Sequence, residues 1–338
     1  ITGVGTVFLA LLGWFESPGR RRWAFGALYL VGVIMSAGAR GDAAVYVIGA
    51  TITAAIMTVA RTRSWRFAAI LPLVGIVIAA VFFATAGQSG VGGAGFTSAS
   101  AGSGLDGSGG SGGTSATHLG GIGLAAYNLL MLPYLWTGVW GTWALGWFDT
   151  ELPAIVPWAA TAAFIVVAFA GLGRLNLRKA ISVGGVLVVL VALPVFVLTV
   201  SGKEVGEALQ PRYLLPLILL LSLLLATMPA GRELRFARIQ VFTIFGALAL
   251  ANLVALQVDI RRYVTGAGKQ GLDLDAGAQW WWPGFPVGPT WVWVIGALAF
   301  AGLLVVLWPQ LFNRGITDAA PVRDQSSTGA NEGTAASR

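Results

Sequence analysis

The chain has no cysteine and a single histidine among its 338 residues. Without cysteine there can be no disulfide, no thiolate metal site and no cysteine nucleophile. The one histidine, His118, falls in a Gly/Ser-rich stretch, which argues against a histidine metal centre or a serine–histidine triad. Charge is scarce as well. Asp, Glu, Lys and Arg make up 10% of the residues, against roughly 25% in soluble domains. Acids are nearly missing from the middle of the apolar runs, which counts against proton-coupled transport. The stretch GSGGSGG has no Lys–Ser/Thr after it and is no phosphate loop.

What the chain does have is apolar length. It is 56% hydrophobic with a mean hydropathy of +0.78, and its apolar runs of about 16 to 22 residues match a ~30 Å hydrocarbon core. Nine such runs can be placed, at about 1–15, 23–39, 43–60, 67–86, 154–173, 180–200, 213–230, 239–258 and 290–308. The fold class that follows is all-α, a polytopic transmembrane helix bundle. Its N-terminal part is 1–86 and its C-terminal part 154–312, with a Trp-rich loop at 259–289. The intervening 87–120 is Gly, Ser, Thr and Ala with almost no charge, a composition that buries nothing and reads as a disordered loop. The tail 313–338 reads the same way. Ile1 already stands inside an apolar run, so an upstream part of the bundle is expected.

Segment 121–153 is harder to place. Its run GLAAYNLLMLPYLWTGVWGTWAL (123–145) is interrupted by Pro133 and dense in Trp and Tyr, residues that prefer the membrane interface. It is expected to lie along the outer surface or to re-enter, not to span. The charge pattern agrees. Three basic residues each at 20–22, 61–66, 174–179, 232–238 and in the C-terminal tail account for fifteen of the 21 Lys and Arg. The other six, Arg40, Lys203, Arg212, Arg261, Arg262 and Lys269, fall in the alternate loops. By the positive-inside rule the first set is cytoplasmic. The Gly/Ser and Trp-rich loops are then extracytoplasmic and the C-terminus cytoplasmic, in a multi-pass protein of the cell membrane. The basic residues lie in short loops and form no folded basic face, so the net charge of +7 marks topology and not a nucleic-acid partner.

Three clusters stand out on the expected outer side. Arg40-Gly41-Asp42 forms a hairpin tip, readable as an exposed turn pair. GWFDTELP (146–153) precedes a spanning run, where Asp149 or Thr150 could cap the helix. QPRY (210–213), DIRRY (259–263) and AQWWWPGFP (278–286) make up the third. Arg212 can be read two ways. It either snorkels to headgroups from a helix end or faces a cavity and holds an anion, for which its planar fork is suited.

In their order, ARGDA, GWFDTELP, QPRYLLP, RRY and WWWPGFP resemble the bacterial membrane family called domain of unknown function 2142, over most of residues 23–308. That family is similar to the membrane-embedded glycosyltransferases of the C superfamily. The resemblance implies an enzyme that moves a sugar from a polyprenyl-phosphate donor to an extracytoplasmic cell-envelope acceptor. It implies donor-phosphate binding by Arg212, with Tyr213 and Arg40 as further candidates. Asp149, Asp42, Trp281 and Trp282 become candidates for the acceptor or sugar side. The catalytic residue is unknown from this sequence. In the resembling enzymes the carboxylate sits in the first outer loop, expected upstream of Ile1. No cofactor and no metal ligand set is implied, and dependence on a divalent metal stays open. The partners implied are membrane lipids and a polyprenyl-phosphate-linked sugar. The alternative is a non-enzymatic membrane protein, either a transporter of lipid-linked saccharides or an envelope-assembly partner.

Overall fold

The computed structural model describes residues 2–39, 41–58, 65–85, 121–144, 150–173, 175–207, 209–227, 236–266 and 271–312. The described residues are 81% helical and include no strand. The helices are α1 (Thr2–Glu16), α2 (Arg20–Ala39), α3 (Gly41–Thr58), α4 (Trp65–Thr85), α5 (Gly121–Thr137), α6 (Ile155–Leu172), α7 (Leu177–Val200), α8 (Leu215–Ala226), α9 (Arg238–Val264) and α10 (Pro289–Phe312). Each of the nine expected runs became one of these helices, and α5 is the tenth. Six are long and apolar enough to cross a membrane: α2, α5 with the turn that follows it, α6, α7, α9 and α10. The apolar parts of α1, α3, α4 and α8 are shorter. The expected loop 87–120 and tail 313–338 lie outside the described residues.

Burial divides the surface as a membrane protein requires. Tyr29, Phe8, Leu190, Leu220 and Leu224 are fully enclosed, while Leu130, Phe169, Phe196 and Val305 point outward. Apolar side chains on both the inside and the outside of a helix are what lipid as a solvent permits. Small residues bring the helices close. A Cβ on Gly26 would stand 2.7 Å from the Trp14 ring, and one on Gly75 would strike the Tyr29 hydroxyl. That hydroxyl lies 3.1 Å from Thr51 Oγ1, joining α2 to α3 in the dry interior.

The helices alternate in direction between two ends of the bundle. At one end, α6 and α8 finish beside the start of α7. Lys179 is fully buried there, and its Nζ donates to Gly171 O (3.2 Å) and Leu225 O (2.7 Å), carbonyls left open by the helix ends. Gly171 is required by the same junction, since a Cβ would strike Leu225 O. At the other end lie the loop after α7, the Pro211–Tyr213 turn, the end of α9 and the loop before α10. Among the described residues, Arg20, Arg21, Arg22, Arg178, Lys179 and Arg238 lie at helix starts of the Lys179 end, and Lys203, Arg212, Arg261 and Arg262 at the Pro211 end. These described members of the two basic sets therefore fall at opposite ends.

Pro133 does not break α5, which runs through it to Thr137 and continues into a five-residue π-turn, Gly138–Thr142. Both halves of this element meet the Pro211 end. Asn128 near its start bonds to Lys203 and Val205, and Gly138 packs on Pro211. The element is long enough to cross, and Trp136 near the end of α5 donates to Leu190 O, midway along α7.

Candidate functional site

The Pro211 end is built around a helix that starts late. α8 has 12 residues and α6 has 18, and their C-terminal ends are level at the Lys179 junction. At 1.5 Å per residue, α8 therefore begins about 9 Å below the start of α6. The step is filled by non-helical backbone, from the 201–210 loop into the single 3₁₀ turn Pro211–Tyr213. Pro211 heads that turn, where its missing N–H removes no needed donor. Asn128 holds the preceding loop: Nδ2 donates to Lys203 O and Oδ1 accepts from Val205 N, both at 3.0 Å. Tyr46 of α3 fixes the turn itself, donating from its hydroxyl to Tyr213 O at 2.7 Å.

Arg212 emerges from this recess into a cavity of about 650 Å³ bounded by α1, α2, α3 and the turn. One stripe of α2, Leu28, Val31, Gly32, Met35, Ser36 and Ala39, lines it at helical spacing over about 16 Å of axis. Val31 and Met35 are at least half exposed, so the cavity opens sideways between helices. Its hydroxyls are partly committed: Ser36 Oγ donates to Gly32 O at 2.6 Å and Thr6 Oγ1 to Thr2 O at 3.0 Å. Arg212 is the one charged group among the described lining residues. Its guanidinium sits 5.6 Å from the Tyr213 ring centroid, and no described carboxylate pairs with it. The arrangement is an apolar groove with a cation at one lip.

A second cavity of about 980 Å³ lies against the π-turn. Gly141 and Thr142 of the turn, Glu151 to Ala154, Pro157 and Trp158 of α6, Gln257 and Arg261 of α9, and Gly271–Leu272 enclose it. Gly141 adopts φ 101°, ψ 19°, a left-handed conformation that glycine takes without penalty. Gln257 is buried and donates from Nε2 to Gly271 O at 2.8 Å, tying the 271 loop to α9.

Of the residues expected at the site, Arg212 and Tyr213 meet at the first cavity. Arg40, Asp149 and the Asp42 side chain lie outside the described residues. Trp281 and Trp282 line neither cavity. Their rings stack edge to face, with centroids 4.8 Å apart, in the loop before α10, and Trp281 Nε1 donates to Val287 O. Residues 259–263, expected in a loop, form the last turn of α9, and Arg261 there lines the second cavity and not that of Arg212. Ala154, not Thr150, is the N-cap of α6, and it makes no side-chain hydrogen bond. Asn128, Glu151 and Gln257 escaped the sequence reading. Asn128 and Gln257 had left a signal, a polar amide inside an apolar run, which in a membrane helix marks function or a cross-helix bond.

These features define a polytopic helical membrane protein with two cavities at one end. Over residues 1–221 the chain matches the family described as "Predicted membrane protein (DUF2142)", and it belongs to that family. The match ends within α8. It includes the Pro211–Tyr213 turn and Glu151, and it leaves α9, α10 and the Trp-rich loop beyond it. No curated protein and no solved structure matches the chain.

Proposed function

We propose that the Arg212 cavity binds the phosphate and first isoprene units of a polyprenyl-phosphate-linked sugar at the extracytoplasmic face. The protein is then the donor-binding part of a glycosyltransferase acting on a cell-envelope acceptor. The observation that carries this reading is a guanidinium that no described carboxylate pairs with, set at the lip of an apolar, laterally open groove. A water-soluble anion needs no such groove, and a neutral lipid needs no cation. Non-helical backbone at membrane depth is tolerated where it is packed in protein or lines a cavity, which fits the sunken turn at Pro211. Arginine suits the headgroup because its fork bonds two phosphate oxygens at once.

One observation favours the non-enzymatic alternative, a carrier of lipid-linked saccharides. Among the described residues the Arg212 cavity contains no carboxylate to serve as a base. Incubating the purified protein with a polyprenyl-phosphate-mannose donor separates the two readings. Binding with sugar release or transfer supports the enzyme, and binding alone supports the carrier. In either case Arg212→Ala is expected to weaken donor binding on the order of 10- to 100-fold, the loss of one charge-assisted contact. Unchanged donor binding in that variant contradicts both.

A further inference from the structure

We infer that the second cavity, between the π-turn and the end of α9, is a saccharide-binding site. It extends the reading of the Arg212 cavity to a separate place and stands or falls on its own test. The argument rests first on charge. Glu151 and Arg261 line the same space, and neither side chain has a hydrogen-bond or ion-pair partner among the described residues. Left facing one cavity without pairing, they present acceptors and donors together. A carboxylate accepts from hydroxyls and a guanidinium donates to their oxygens. An anionic ligand would meet Glu151 and a cationic one Arg261, whereas a neutral, hydroxyl-rich ligand satisfies both.

Shape and aromatics point the same way. The volume of about 980 Å³ reaches the top of the roughly 300–1,000 Å³ range of small-molecule sites, and the lining is more polar than that of the Arg212 groove. Trp158, 73% exposed, stands at the rim, where its face can cover the apolar side of a sugar ring. Gln257 holds the wall through Gly271, so the cavity is braced and not a gap between loose loops. The π-turn connects the two places. Gly138 rests on Pro211, next to Arg212 of the first cavity, and Gly141 and Thr142 line the second.

The test is saturation-transfer NMR on the detergent-solubilised full chain with the methyl glycosides of mannose, galactose and glucose. Transfer to at least one glycoside is expected. It should fall on the order of tenfold in Glu151→Gln and in Trp158→Ala, the loss of one hydrogen bond to a charged group or of one stacking face. Both side chains are exposed, so neither change disturbs the core, and matched thermal unfolding of the variants verifies this. Arg212→Ala should leave the signal unchanged, so a failure of the lipid-phosphate reading is seen separately. Absence of transfer to all three glycosides, or transfer undiminished in both variants, overturns the inference.

Discussion

Asn128→Leu removes the side chain that holds the loop leading to Arg212. Leucine keeps the branched, four-heavy-atom shape of the asparagine side chain, so α5 can still pack on α7 while two hydrogen bonds disappear. Those bonds, to Lys203 O and from Val205 N, are both 3.0 Å long, and Asn128 is fully buried. A buried backbone group left unpaired costs about 1–3 kcal/mol. Lys203 and Val205 are half-buried, so water partly replaces the lost partners and the lower end applies to each, for about 2 kcal/mol together. At 1.4 kcal/mol per factor of ten, opening of the loop becomes roughly 30-fold more frequent. Hydrogen exchange of the 203–207 backbone reads this directly, because local opening sets the exchange rate of its amides. Asn128→Asp keeps an acceptor for the Val205 amide and loses only the donor, so its exchange should fall between the two. Wild-type exchange in Asn128→Leu would refute the view that α5 positions the Arg212 recess.

Lys179→Met should lower thermal stability by about 1–3 kcal/mol, since two helix-end carbonyls lose their donor; unfolding in detergent measures it. Gly171→Val should destabilise at least as much by driving a Cβ into the α8 backbone, and a neutral result would mean the α6–α8 junction is wider than described. Because the chain has no cysteine, single cysteines report topology cleanly: Ser64→Cys and Glu207→Cys are expected to react from opposite sides of the membrane, and reaction from the same side contradicts the charge argument. Deleting residues 97–115, which lack apolar periodicity, should leave expression and thermal stability nearly unchanged.

The helices were legible because lipid imposes a length, and nine apolar runs meeting it became nine helices. The exceptions have local causes. The run at 213–230 reads as a full span, yet α8 occupies only Leu215–Ala226. Its start is displaced by the Pro211 turn, which Tyr46 fixes from 167 residues away. α5 continues through Pro133 where the sequence suggested a break, because membrane helices accommodate proline when neighbours satisfy the freed groups. The charge balance of the flanking loops made this segment an outer-face or re-entrant element, whereas by length and composition it is one of the helices able to cross a membrane. At the site, Arg212 was legible as a charge at a threshold. Its cavity was not, since α1 and α2 supply most of the wall and neither carries a marked motif there. Glu151 was passed over for its neighbour Asp149. Two acids in one turn cannot be ranked by type, and only the fold shows that Glu151 faces a cavity shared with Arg261.

The central claim is that Arg212 anchors a lipid phosphate whose chain runs along α2. The most direct measurement is photocrosslinking with a polyprenyl phosphate that carries a diazirine on an early isoprene unit, followed by peptide mapping. Labelling is expected on the α2 stripe, at Leu28, Val31 or Met35, and it should fall sharply in Arg212→Ala and substantially in Arg212→Lys, which keeps the charge and loses the fork. Labelling spread over the outward faces of α7 and α10, with no change in either Arg212 variant, would contradict the account.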